Sequence, residues 1–364
     1  MAPFFVAIFL LGFSSLAMAT ASIFNQVFEW NELDFEWPSE ESRTQAVKDG
    51  TFRLGTIEPR FMAVYGSRIF LSLEKFPGIP VSLVSLPTSS ASSAPPKLTP
   101  FPSWDMHLNG SGNCNKFHMA QGLQVDSIGR LWVLDECSIN CTAKLWIFDL
   151  SNNKTELLHR LPFRANRMHD FVLDETPNET LAYITFWGDD YILVFSLERK
   201  DSRIVDTPGI DVFSVALSPK DQEPRQQLYL GKDNSNKLYA IYVSALRNGT
   251  RTAEPKLIGT WDAVQSYRML IDNHGIMYAA FLDNNSIYSW NTSQPFRDHR
   301  FHQVTGLEHA LPFTFALDQN GTLWMTVFDN KREPRCRLLK AAVGTKSIED
   351  SPGSSCSCNK RQTA

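Results

Sequence analysis

Five positions along the chain carry side chains suited to holding a small molecule, and spacing picks them out. Gln121, His169, Phe213, Tyr267 and Phe313 each lie five residues before the Asp or Ser that ends an apolar strand, at Asp126, Asp174, Ser218, Asp272 and Asp318. The residues that follow them are Gly122, Asp170, Ser214, Arg268 and Thr314. Brought together, these positions make a mouth of aromatic rings with an imidazole and a few polar groups. Aromatic faces attract cations by roughly 0.5–2 kcal/mol each, and a partly desolvated carboxylate adds a charge-assisted hydrogen bond. Phe213, Tyr267 and Phe313 with Asp170 therefore suit a protonated amine that carries its own ring. Arg268 repels such a cation unless it pairs with Asp170; alternatively it holds a ligand's carboxylate. The competing reading is that these residues pack between adjoining strands, and both readings stay open at this point.

Other chemistries lack their parts. Asp170 is the one carboxylate among the ten positions, too few oxygens for a calcium site, so no metal is expected. Gly-x-Ser-x-Gly, His-Glu-x-x-His and phosphate-cradling Gly loops are absent, and no cofactor is implied. His299 and His302, in a polar stretch after Pro295, read as surface loop histidines.

The elements that must position the ring are repeated hairpins. Residues 123–136, LQVDSIGRLWVLDE, alternate apolar and polar on both sides of a Gly turn, the pattern of a hairpin with one buried face. The phrase returns as FVLD then LAYITF, VALS then QLYL, MLID then GIMYAA, and FALD then GTLWM. Measured on the closing Asp or Ser, the steps are 48, 44, 54 and 46 residues. A degenerate copy, with GSRIFLSL as its second strand, lies at residues 61–73. Six copies at a period of about 40–50 residues predict an all-β fold, a six-bladed β-propeller over residues 22–340. In such a fold the first strand of each blade lines the central channel, with ligands at one mouth. Trp132, Trp146, Trp187, Trp261, Trp290 and Trp324 lie in or beside strands and read as packing between blades. Gly188, after Trp187, reads as a hairpin glycine with positive φ.

The totals place the chain outside the cell. Of 364 residues, 43% are hydrophobic and 20% charged, enough for a large core. A net charge of −4 without a Lys/Arg stripe argues against nucleic acid and against anionic membranes. Residues 4–16 are apolar and give way to small residues, which predicts a signal peptide over 1–21, although no Lys or Arg precedes the run. Sequons at Asn109, Asn140, Asn153, Asn178, Asn248, Asn284, Asn291 and Asn320 fall mostly in predicted turns, as glycans require. Six cysteines, Cys114, Cys137, Cys141, Cys336, Cys356 and Cys358, read as disulfide-forming, with 15 pairings open. Residues 341–364 form a Ser/Gly/Lys-rich tail that Cys356 and Cys358 tie down, Cys336 pairing with one of them. A short helix is expected over residues 39–49, and the Ser/Pro stretch 88–100 reads as a mobile surface loop. The oligomeric state is left open.

FEWNELDFEWPSEESRTQAV, YGSRIFLSL, PKLTPFPSWDMHLNGSGNC, GRLWVLDE, CTAKLWIFDL, AYITFWGDDYILVFSL and ALSP with QLYL occur in an order that resembles the arthropod yellow / major royal jelly protein family, over residues 28–340. The resemblance implies a secreted six-bladed propeller and a disulfide between Cys114 and Cys141. It leaves function divided among dopachrome conversion in pigment formation, binding of biogenic amines, and nutritive or structural roles. Amine-binding members place a Ser/Thr before the last inner strand and an Asn/Asp after its Trp hairpin. Aligned on residues 318–324, those places fall on Phe313 and Phe328, and a one-residue slip gives Thr314 and Asp329. The expected function is binding of a small aromatic or amine-like molecule, with dopachrome conversion or a ligand-free structural role as alternatives.

Overall fold

In the computed structural model, which describes residues 24–90, 92, 94–107, 113–136, 141–162, 167–220, 225–281, 286–303, 311–329 and 336–343, the repeat becomes six four-stranded antiparallel sheets. Their innermost strands are Pro59–Tyr65, Met119–Val125, Met168–Glu175, Val212–Leu217, Ser266–Ile271 and Leu311–Leu317, in blades one to six. Each inner strand touches the next, and the last touches the first, so the ring is closed. The six-bladed propeller is the observed fold. Closure uses both ends of the chain: Asn25–Trp30 forms the outermost strand of blade six against Cys336–Ala342. Sequence reading saw only aromatics and acids there.

The closing Asp explains why the hairpins share a phrase. Asp126 Oδ1 accepts from the backbone N–H of Ile128 at 3.3 Å and of Arg130 at 2.8 Å, while Oδ2 accepts from Trp132 Nε1 at 2.9 Å. Asp318 repeats this with Asn320, Thr322 and Trp324, and Asp272 with His274, Ile276 and the Tyr278 hydroxyl. One carboxylate thus fixes the turn and orients the first ring of the returning strand. The glycine three residues on has φ of 84° at Gly129 and 73° at Gly321, a conformation that favours a residue without Cβ. Blade one turns instead through Gly66-Ser67 and needs no Asp, which is why its copy looked degenerate.

Trp132, Trp146, Trp261, Trp290 and Trp324 are buried between sheets, as expected. A fully buried ring such as Phe171 contributes about 1.5–3 kcal/mol. Trp187 is the exception and corrects the reading as core, being 53% exposed. Gly188 has the expected positive φ, 79°. The helix runs Glu40–Lys48, with Ser39 and Ser42 capping each other's backbone N–H. The stretch 88–100 is less free than expected at its far end, because Trp30 Nε1 donates to Pro96 O at 2.9 Å and Leu98 pairs with the segment after Asn25–Trp30. His299 and His302 lie in a strand, His299–Gln303, at the outer edge of blade five rather than in a loop.

Cys114 and Cys141 are disulfide-bonded, with Cα atoms 5.5 Å apart. Cys336 is a buried thiol; Cys137, Cys356 and Cys358 lie outside the described residues, as do the signal segment 1–21 and residues 344–364 of the tail. Of the sequon asparagines, Asn153, Asn178, Asn248, Asn291 and Asn320 are exposed, while Asn109, Asn140 and Asn284 lie outside the described residues.

Candidate functional site

The inner strands all depart from regular pairing at the same end of the channel. The register slips between Pro59 and Phe61, Ala120 and Leu123, Met168 and Phe171, Val212 and Ser214, Ser266 and Arg268, and Pro312 and Thr314. A bulge releases one residue from the ladder and re-aims its side chain. The positions counted back from each closing Asp or Ser therefore coincide with the bulges, and blade one supplies a sixth pair, Arg60 and Phe61. Sequence reading missed that pair because blade one lacks the Asp from which to count.

Gln121, His169, Phe213 and Tyr267 line one cavity of about 520 Å³ at this mouth. Phe313 lies on the same ring of positions, but its side chain falls outside the described residues. One side of the cavity is aromatic. His169 stacks on Phe213 with centroids 3.9 Å apart, and Tyr267 stands edge-on to His169 at 5.1 Å. Trp187 closes this side edge-on to Phe213 at 6.5 Å, and its Nε1 donates to Asp233 Oδ2 at 2.8 Å. Gln265 Nε2 donates to the other Asp233 oxygen at 2.6 Å. A carboxylate is thereby fixed beside an exposed indole at the rim.

The other side is polar. Arg60 Nε lies 2.8 Å from Glu74 Oε2, and Glu136 is buried nearby. Burial first, then the neighbouring charges of Glu74 and Asp135, push the Glu136 carboxyl up to about 8. Hydrogen bonds from the Met168 backbone and the Gln121 side chain pull the other way without cancelling this. Glu136 is thus a neutral acid at pH 7, able to donate. Burial also pushes the Tyr267 phenol up to about 12, with Arg60 opposing.

Asp170 and Arg268 do not line the mouth. They form a buried ion pair beneath the rings, with Arg268 Nη1 2.5 Å from Asp170 Oδ1. The guanidinium also lies 5.2 Å from the Phe61 ring centroid, and Nε donates to Phe315 O at 3.3 Å. Burial pushes the Asp170 carboxyl up, against the pull of Arg268. Arg268 also lines a second, smaller cavity of about 70 Å³ together with residues such as Met62, Gln124, Leu173 and Ile271. Thr314 and Asp329, the positions given by the one-residue slip, are buried and line neither space. Among the described residues, no three His, Cys, Asp or Glu side chains converge as a metal site.

Arg60, Glu74, Glu136, Trp187 and Asp233 are therefore site residues that spacing did not find. A signal was present for two of them. VLDE and SLE put an acid at the end of an apolar strand, where regular core packing has no use for one.

The family model of the major royal jelly protein matches residues 119–208 and 200–332. Protein yellow of Drosophila guanche is 23% identical over 344 residues, covering 82% of this chain and 60% of that protein. Protein yellow of Drosophila yakuba is 24% identical over 349 residues, covering 82% and 63%. The chain thus spans about three fifths of the length of the curated relatives it matches. A solved luciferin-regenerating enzyme aligns over 83% of this chain and 95% of its own, with TM-score 0.49 and 12% identity.

Proposed function

The chain belongs to the major royal jelly protein family, and from that premise we propose that it binds a small aromatic amine in the mouth cavity. One observation carries this reading: Trp187, Phe213 and Tyr267 share a cavity with a carboxylate, Asp233, that is held in place by Trp187 and Gln265. A ligand ring lies against the aromatic side, and its ammonium reaches the rim, where desolvation is least costly. The carboxylate differs from the one expected, since Asp170 is taken up by Arg268.

A second reading, conversion of dopachrome-like quinones, is favoured by Glu136 and His169. The first is a neutral acid and the second an unprotonated imidazole in the same cavity, so a proton can be delivered at one ring atom and removed at another. Secretion, cleavage after residue 21 and glycosylation of the exposed sequons belong to the same proposal and rest on the apolar start and the turn positions of Asn153, Asn178, Asn248 and Asn320.

Calorimetry against dopamine, serotonin, octopamine and dopachrome, with absorbance followed for dopachrome loss, separates the readings. Heat with the amines and no turnover supports binding, and turnover supports conversion. Neither response leaves the structural or storage role.

A further inference from the structure

We propose that His169 determines specificity in this cavity by accepting a hydrogen bond from a neutral donor on the ligand, a ring hydroxyl or indole N–H, so that the ligand enters ring-donor first with its ammonium at the rim. The proposal rests on the amine-binding reading given above.

The argument starts from the tautomer. His169 Nδ1 lies 2.9 Å from the carbonyl oxygen of Phe213. A carbonyl can only accept, so Nδ1 carries the proton and Nε2 keeps a lone pair. Nε2 is buried and has no hydrogen-bond partner among the described residues. A buried acceptor left without a donor gives up its hydration with nothing in return, so such atoms are rarely left unused. His169 is 9% exposed and lines the mouth cavity.

Three rings and the Nδ1 hydrogen bond hold the imidazole in place. Phe213 stacks on it at 3.9 Å, Tyr267 meets it edge-on at 5.1 Å and Phe61 at 5.2 Å. Burial, with the positive charges of Arg268 and Arg60, holds its pKa down to about 3, so the ring stays neutral and the acceptor is permanent at any physiological pH.

The two ion pairs around the ring decide what the acceptor takes. An ammonium brought to Nε2 would lose its water in this aromatic setting without an anion to pair with, because Arg268 takes up Asp170 and Arg60 takes up Glu74. A hydroxyl or indole N–H carries no such charge. The carboxylate left for the ammonium is Asp233, at the rim beside exposed Trp187: its hydrogen bonds come from the neutral donors of Trp187, Gln265 and Asn234, and no salt bridge to a cation is seen among the described residues. Depth therefore sorts the two ends of the ligand by charge.

The test is a ligand pair differing in one hydroxyl, tyramine and phenethylamine, titrated calorimetrically into the mature glycoprotein. Wild type is expected to bind tyramine at least fivefold more tightly. His169→Phe, which keeps the stacking, is expected to abolish that preference, the two affinities coming within twofold of each other. Equal affinities in wild type, or a preference that survives in the variant, overturn the proposal while leaving amine binding intact. Failure of both amines to bind overturns the amine-binding reading on which it rests. Imidazole ¹⁵N spectra of labelled wild-type protein give a second reading that needs no variant. They should show Nε2 unprotonated and shifted on adding tyramine, and a protonated Nε2 contradicts the assignment.

Discussion

Arg268 of blade five reaches across the channel to Asp170 of blade three, its Nη1 2.5 Å from the carboxylate Oδ1, with both side chains buried. The bulges of blades three and five bring the pair together, and that of blade one places Phe61 against the guanidinium. The two residues are a floor under the mouth rather than ligands in it. Removing one partner of a buried pair leaves the other uncompensated, at about 3–5 kcal/mol. Asp170→Asn should lower the unfolding free energy by that order, and Asp170→Asn with Arg268→Met should recover part of it. Denaturant midpoints check this, and a single variant as stable as wild type contradicts it.

Glu136 gives stability a pH signature. Its carboxyl titrates at about 8 in the folded protein, against 4.5 for an unperturbed group. Below 4.5 both states hold the proton, and between 4.5 and 8 only the folded state does. Stability contributed by this group is therefore full at low pH and lost as pH rises through 8. Glu136→Gln should flatten the fall in stability across that window. Superimposable pH profiles for the two proteins sink the assignment.

The hairpins were legible because period-2 alternation and a turn residue repeat in every blade. The ring positions were legible for a reason not visible in the sequence: the Asp or Ser closing each of these strands lies at a constant distance from the bulge. Where the Asp is missing, as before Gly66, Arg60 and Phe61 went unseen. Partnership across the channel was also beyond reach, since Asp170 and Arg268 are 98 residues apart and meet only through ring closure. Trp187 was misread because an exposed indole at a rim and a buried one between blades look alike in an alternating strand. The strand Asn25–Trp30 was missed because it pairs with a strand more than 300 residues later.

The disulfide should stabilise chiefly through the chain it closes. Cys114 and Cys141 are 27 residues apart, for which the chain-entropy model gives about 3–4 kcal/mol. Lys144 Nζ additionally holds the Cys114 and Lys116 carbonyls, at 3.3 and 2.5 Å, so the loop has a second tether. Cys114→Ser is expected to fold with its thermal midpoint lowered. An unchanged midpoint contradicts the disulfide's structural role.

Trp187 should separate binding from folding. At 53% exposure its truncation removes little buried area, so Trp187→Ala should change stability by no more than about 0.5–1 kcal/mol. Amine affinity should fall at least tenfold, since the variant loses a ring of the cavity and a donor to Asp233. A variant that binds as wild type does places the ligand elsewhere.

The most direct measurement is a crystal structure of the mature protein grown with serotonin. The account predicts its ring against Phe213 and Trp187, the ammonium within hydrogen-bonding distance of Asp233, and the hydroxyl on His169 Nε2. An empty mouth at saturating serotonin, or the ligand bound away from these residues, contradicts it.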